Sequence, residues 1–75
     1  MSKYRINNNI RKLRFFNDEM TQQELAKLVG VTRQTIISLE KGKYAPSLDL
    51  AFRIALAFAV PLDAVFSYDR EVDGE

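Results

Sequence analysis

Residues 21–42, TQQELAKLVGVTRQTIISLEKG, constrain this 75-residue chain more than any other stretch. Thr21 is followed three residues later by Glu24, the spacing of a capping box. In that motif the threonine hydroxyl accepts the backbone N–H of the glutamate, whose carboxylate accepts the threonine N–H in return. Leu25, Ala26, Leu28 and Val29 then supply an apolar helical face. Gly30 ends the helix, as a left-handed terminal position prefers. Val31 follows as an apolar plug, and Thr32 is a second N-cap candidate. The spacing predicts a second helix over 33–41, stopped by Gly42. Two helices joined so tightly must cross steeply, and small Ala26 lets them approach closely.

Composition narrows what this unit can serve. Seventy-five residues make one domain at most, expected to span 1–75, and its small core makes partner help expected. The chain has neither cysteine nor histidine. It therefore lacks disulfides, thiolate metal sites, the commonest metal ligand and the commonest general base. With no convergent carboxylates either, an enzyme is not expected, and neither is a metal or cofactor. No apolar run suits a bilayer and no signal-peptide pattern opens the chain, so a soluble cytoplasmic protein is expected, without membrane contact.

The net charge of +1 conceals a division. Residues 1–44 hold nine Lys/Arg against four acids, a balance of +5, whereas residues 45–75 hold two against six, a balance of −4. A basic half containing the two-helix unit fits a protein that meets phosphate on one side. A solvated surface with chance asymmetry is the plainer alternative.

Taken in order, one of Asn7 to Asn9 is expected to start helix 1, because asparagine caps helices better than it continues them. Ile10 and Leu13 form its apolar side, with either Phe15 or Phe16, since adjacent aromatics cannot share one face. Met20 is placed to staple the start of helix 2. Pro46 pushes Ala45 out of helical conformation, and Ser47 caps helix 4, expected over 48–59 with Asp49 in its first turn. Between Leu50 and Val60 only Arg53 is charged. A helix so apolar exceeds what a small domain can cover, and the surplus suggests a subunit interface. Pro61 suits the start of a short helix 5 containing Leu62, Val65 and Phe66. Residues 67–72 are either a strand or a frayed tail, and 73–75 are expected to be flexible.

A helical wheel at about 100° per residue sorts helix 3. With Thr32 at 0°, Ile36 falls near 40° and Leu39 near 340°, which defines the core side. Arg33, Ile37, Lys41, Gln34 and Ser38 fall between roughly 100° and 240°, on the outward side. Arginine can bond guanine bidentately, glutamine adenine, serine either, and a branched apolar group can touch the thymine methyl. Any surface helix carries Arg, Gln and Lys, but an outward Ile37 without a partner is poor surface chemistry. Gln22 and Gln23, with the free N–H groups of helix 2, form a plausible phosphate clamp. Lys41, Lys43 and Tyr44 can grip the backbone beyond helix 3, although Tyr44 fits a packed loop aromatic equally well. Glu40 is expected to pair with Arg14 or to cap a loop N–H. The shape is that of a helix-turn-helix, with helix 3 as the recognition helix in the major groove.

The segments TQQELA, VGVTRQTIISLEKGKY and PSLDLAFRIA resemble the Cro/cI (Xre) family of helix-turn-helix regulators, in particular its small single-domain bacterial type. The resemblance covers roughly residues 10–66. It implies an all-α, five-helix, lambda-repressor-like domain, in which residues 3–6 and 67–72 can add short paired strands. It also implies a homodimer on a roughly two-fold-symmetric stretch of double-stranded DNA. By position, Arg33, Gln34, Ile37 and Ser38 would face bases, and Gln22 would contact phosphate. With Gln22 we group Gln23, Thr32, Lys41, Lys43 and Tyr44 as phosphate-side candidates. Leu62, Val65, Phe66 and Tyr68 are the candidate dimer contacts. One departure from the family pattern is a link from Arg14 to Thr21 one residue longer than usual.

Two functions compete on these grounds. One is a homodimeric, sequence-specific transcriptional regulator, most simply a repressor of a palindromic operator. The other is a protein-interaction module, such as the antitoxin of a toxin pair, using the apolar surplus of helix 4 and the tail.

Overall fold

A computed structural model describes the backbone of residues 4–70 and the side chains of residues 6–68. The expected flexible segment 73–75 lies outside the described residues. Five helices, α1 (Ile10–Phe16), α2 (Gln22–Val29), α3 (Arg33–Glu40), α4 (Leu48–Phe58) and α5 (Leu62–Val65), are flanked by two strands, β1 (Tyr4–Asn8) and β2 (Phe66–Arg70). The strands pair antiparallel with Ile6 opposite Tyr68 and Asn8 opposite Phe66, so the two ends of the chain meet. The ladder reaches further into the asparagine run than the expected 3–6. Phe66, expected in helix 5, opens β2 instead.

Local chemistry explains the helix ends. The Thr21–Glu24 capping box is complete: the Glu24 N–H donates to the Thr21 hydroxyl at 3.0 Å, and the Thr21 N–H to the Glu24 carboxylate at 2.8 Å. Gly30 closes α2 at φ 77°, where a side chain is disfavoured. The N–H groups of Gly30 and Val31 both donate to the Ala26 carbonyl. Thr32 caps α3 and Ser47 caps α4, each accepting the N–H three residues on. At α1 the cap is displaced by one residue: the Asn8 side chain, not that of Asn9, accepts the Ile10 N–H.

Every helix contributes to one core. Ile10 of α1, Leu25, Ala26 and Val29 of α2, Ile36 and Leu39 of α3, Leu50, Ile54 and Ala55 of α4 and Val65 of α5 are buried together. Arg53, the lone charge in the apolar run of α4, is drawn to the end of α2. Its guanidinium donates to the Val29 carbonyl and pairs with Asp49 at 2.8 Å. A cation there offsets the negative end of the α2 dipole.

Several apolar residues expected inside are outside. Phe15 and Phe16 are 62% and 70% exposed, so neither joins the core. Helix α1 ends at Phe16, and the two rings meet each other edge to face instead. Leu28 is exposed because it lies roughly 100° around α2 from the mean direction of Leu25, Ala26 and Val29. On α4, by contrast, the apolar surplus expected from the sequence is exposed: Leu48, Phe52 and Leu56 are 68%, 50% and 77% exposed and form one stripe at four-residue spacing. Val65, a candidate dimer contact, is completely enclosed in the monomer core and offers a partner no surface.

Candidate nucleic-acid interface

The two-helix unit is held to α1 by a polar clasp. Arg14 reaches Glu40 with two bonds, Nε to Oε2 at 2.6 Å and Nη2 to Oε1 at 3.1 Å. Both side chains are largely buried, and Gln22 Nε2 donates to the same Glu40 Oε1 at 3.1 Å. Glu40 thus ties together α1, the start of α2 and the end of α3. Of the two roles open to it from the sequence, pairing with Arg14 is the one formed.

The long link between α1 and α2 makes room for this clasp. Asp18 and Glu19 both take left-handed backbone, at φ 60° and 54°, and fold the additional residue into a compact turn. The Met20 N–H donates to the Arg14 carbonyl, and Arg14 Nη1 donates to the Met20 carbonyl. The same arginine therefore anchors the turn and pairs with the end of α3.

In front of the clasp lies a basin of about 630 Å³ bounded by the α1–α2 turn, the start of α2 and the outer side of α3. Gln22, Gln23, Arg33, Ile37 and Lys41 line it together. Gln23, Arg33 and Lys41 are exposed, whereas Ile37 is half-buried. That corrects the expectation of a fully exposed isoleucine. Ile37 still offers the basin an apolar surface between cationic neighbours. Gln22 has one N–H engaged by Glu40, which orients its amide.

The other candidates lie away from this basin. Gln34 is exposed and Ser38 half-buried on the rest of α3. The Thr32 hydroxyl is engaged with the N–H and the hydroxyl of Thr35. Lys43 is exposed, and Tyr44 leans toward the strands, lining a groove with Ile6, Pro46, Phe66 and Tyr68. Leu62 and Phe66 are half-buried and Tyr68 exposed, and with Ile6 they line one shallow apolar surface. Sequence reasoning missed Arg11, which lines the basin beside Arg14. Its signal was available: residues three apart share a helix side, and Arg14 was already assigned toward Glu40. Among the described residues no group of histidine, cysteine or acidic side chains could hold a metal, and no helix is long and apolar enough to cross a membrane.

Capped α2, a glycine turn and an outward-facing α3 on a five-helix core define a helix-turn-helix protein. The helix-turn-helix family model matches residues 10–65. An uncharacterized HTH-type transcriptional regulator of Methanocaldococcus jannaschii is 52% identical over 62 residues, covering 80% of this chain and 94% of that protein. One from Methanothermobacter thermautotrophicus is 74% identical over 53 residues, 69% of this chain and 77% of that one. Another, from Bacillus subtilis, is 47% identical over 51 residues, with 68% and 77% coverage. A crystal structure of a Bacteroides fragilis protein superposes with a TM-score of 0.71 over 83% of this chain and 98% of that one; at 24% identity it supports the fold alone. The chain belongs to the helix-turn-helix family, in its Cro/cI (Xre) type, and its relatives are archaeal as well as bacterial.

Proposed function

We propose that the chain is a single-domain, cytoplasmic transcriptional regulator that binds double-stranded DNA as a homodimer and represses by occupying a palindromic operator. The observation that carries this reading is the basin, where Gln22, Gln23, Arg33 and Lys41 surround the half-sheltered Ile37. Amide, guanidinium and ammonium donors around an apolar group suit phosphate oxygens, base edges and a thymine methyl together. Arg33, Gln34, Ile37 and Ser38 read bases. Gln22, Gln23, Thr32, Lys41, Lys43 and Tyr44 hold the backbone, joined by Arg11. The names of the relatives, HTH-type transcriptional regulators, support the same role.

For the dimer, the surface of Ile6, Leu62, Phe66 and Tyr68 replaces the earlier set that included Val65. Two copies joined there would present two α3 helices to half-sites about 34 Å apart. The exposed Leu48, Phe52 and Leu56 stripe favours a second reading, a protein-interaction role, which is compatible with the first.

Selection from random duplex DNA followed by binding at graded salt tests the proposal. A palindromic site should emerge, with affinity falling steeply as salt rises. Arg33→Ala should relax specificity at one base pair at a cost of about 1–3 kcal/mol, while Lys43→Ala should weaken all sequences alike. The absence of any preferred duplex at low salt would reject the regulator reading. Sedimentation of Phe66→Asp should show monomers, and a wild-type protein that is monomeric at high concentration would reject the dimer.

A further inference from the structure

The C-terminal end of α3 is bonded by a residue of β1, 31 positions earlier in the chain. Asn8 sits in β1 opposite Phe66 of β2 and is half-buried. Its Nδ2 donates to the Leu39 carbonyl at 2.8 Å, while its Oδ1 accepts the Ile10 N–H at 3.1 Å. One amide therefore joins the strand pair, the first turn of α1 and the last turn of α3. Both functions are needed at once: a carboxylate cannot donate to Leu39, and a serine is too short to reach it. Neighbouring Asn9 fastens the same junction, with its backbone N–H donating to the Val65 carbonyl at 2.8 Å and its side chain to the Ala64 carbonyl at 3.1 Å.

We propose that Asn8 is a positioning residue for base-specific DNA binding: its amide holds the end of the recognition helix to the sheet formed by the two chain termini. The inference rests on the regulator reading above. The start of α3 is held by the short turn through Val31 and by the Thr32 cap. Its end is closed locally by the Gly42 and Lys43 N–H groups on the Leu39 and Ser38 carbonyls and packed by buried Leu39. It leads, however, into residues 41–47, which form no helix or strand, so polar ties from other elements add to its placement. Glu40 supplies one such tie through Arg14 and Gln22, and Asn8 supplies another on the Leu39 carbonyl. Base readout demands placement within about 0.5 Å, whereas long flexible lysines follow a displaced phosphate. A loosened α3 should therefore lose specificity before it loses general affinity. Pairing of β1 with β2 then contributes to operator recognition although no strand residue need touch a base.

The test compares wild type, Asn8→Ala and Asn8→Ser on the selected operator and on a scrambled duplex of equal length, at one salt concentration. Serine can still accept the Ile10 N–H, so it separates the α1 cap from the Leu39 tie, and it carries the test should the alanine variant not fold. Both variants should lower the operator-to-scrambled affinity ratio about fivefold, the worth of one net hydrogen bond, with scrambled affinity unchanged. Amide exchange at Gly42 and Lys43 of the free protein should quicken in Asn8→Ser. An unchanged ratio in the folded serine variant, or equal losses on both duplexes, would overturn the proposal. A wild type with no sequence preference would instead reject the regulator reading, and this inference with it.

Discussion

Residues 21–42 and the terminal strand pair are both two-element units, but they are specified in opposite ways. The first closes on itself. Its caps and its turn use partners three to five residues apart: Thr21 with Glu24, Thr32 with Thr35, and Ala26 with Gly30 and Val31. The strand pair joins Ile6 to Tyr68, at opposite ends of the chain. Closing so long a loop costs entropy, and an isolated two-stranded ladder is marginal in water. The strands can pair stably only once the helices have brought the ends together. A local unit presents the candidate DNA-facing side chains, while long-range ties through Arg14 and Asn8 decide how firmly that unit is aimed.

Four single substitutions and one double-mutant cycle test this contrast. Glu40→Ala should have the largest effect, because it strands the buried Arg14 guanidinium and releases Gln22. A loss of about 3–5 kcal/mol is expected from urea unfolding, and a loss below 1 kcal/mol would show that α1 contributes little to holding the two-helix unit. Gly30→Val comes next at about 2 kcal/mol, since a β-branched residue resists positive φ. A Cβ there would also lie 3.3 Å from Arg53 Nη1. Combining it with Arg53→Ala should give less than additive loss, and strict additivity in that double-mutant cycle would deny the contact. Thr21→Ala removes a purely local cap and should cost about 1 kcal/mol, read from the thermal midpoint. Ile6→Ala, on the exposed side of the strand pair, should change monomer stability by no more than about 0.5 kcal/mol. Its effect belongs in sedimentation, where a dimer as tight as wild type would remove Ile6 from the interface.

Much of the architecture was legible because it depends on short-range chemistry. The five helices, the caps at Thr21, Thr32 and Ser47 and the stops at Gly30 and Gly42 each follow from neighbouring residues. The separation of Ile36 and Leu39 from Arg33 and Gln34 follows from helical period alone. Errors arose where periodicity leaves the choice of neighbour open. Phe15, Phe16 and Leu28 have core chemistry, but all three stay mostly exposed, the two phenylalanine rings meeting each other. Val65 reads as an interface residue from its apolar neighbours, yet the core encloses it. Phe66 follows a helical pattern, but pairing with Asn8 draws it into a strand.

The sequence by itself determined that two capped helices flank a glycine turn, and which side of the second helix carries polar groups. Those outcomes rest on φ preferences, capping bonds and the 3.6-residue period, all expressed within a few residues. Only the tertiary structure decided that Gln22 joins Arg14 on Glu40, that Arg53 caps α2 and that Asn8 bonds the end of α3. Each of these depends on which helix or strand lies beside which. That choice is made by burial of the common core, which no local pattern encodes.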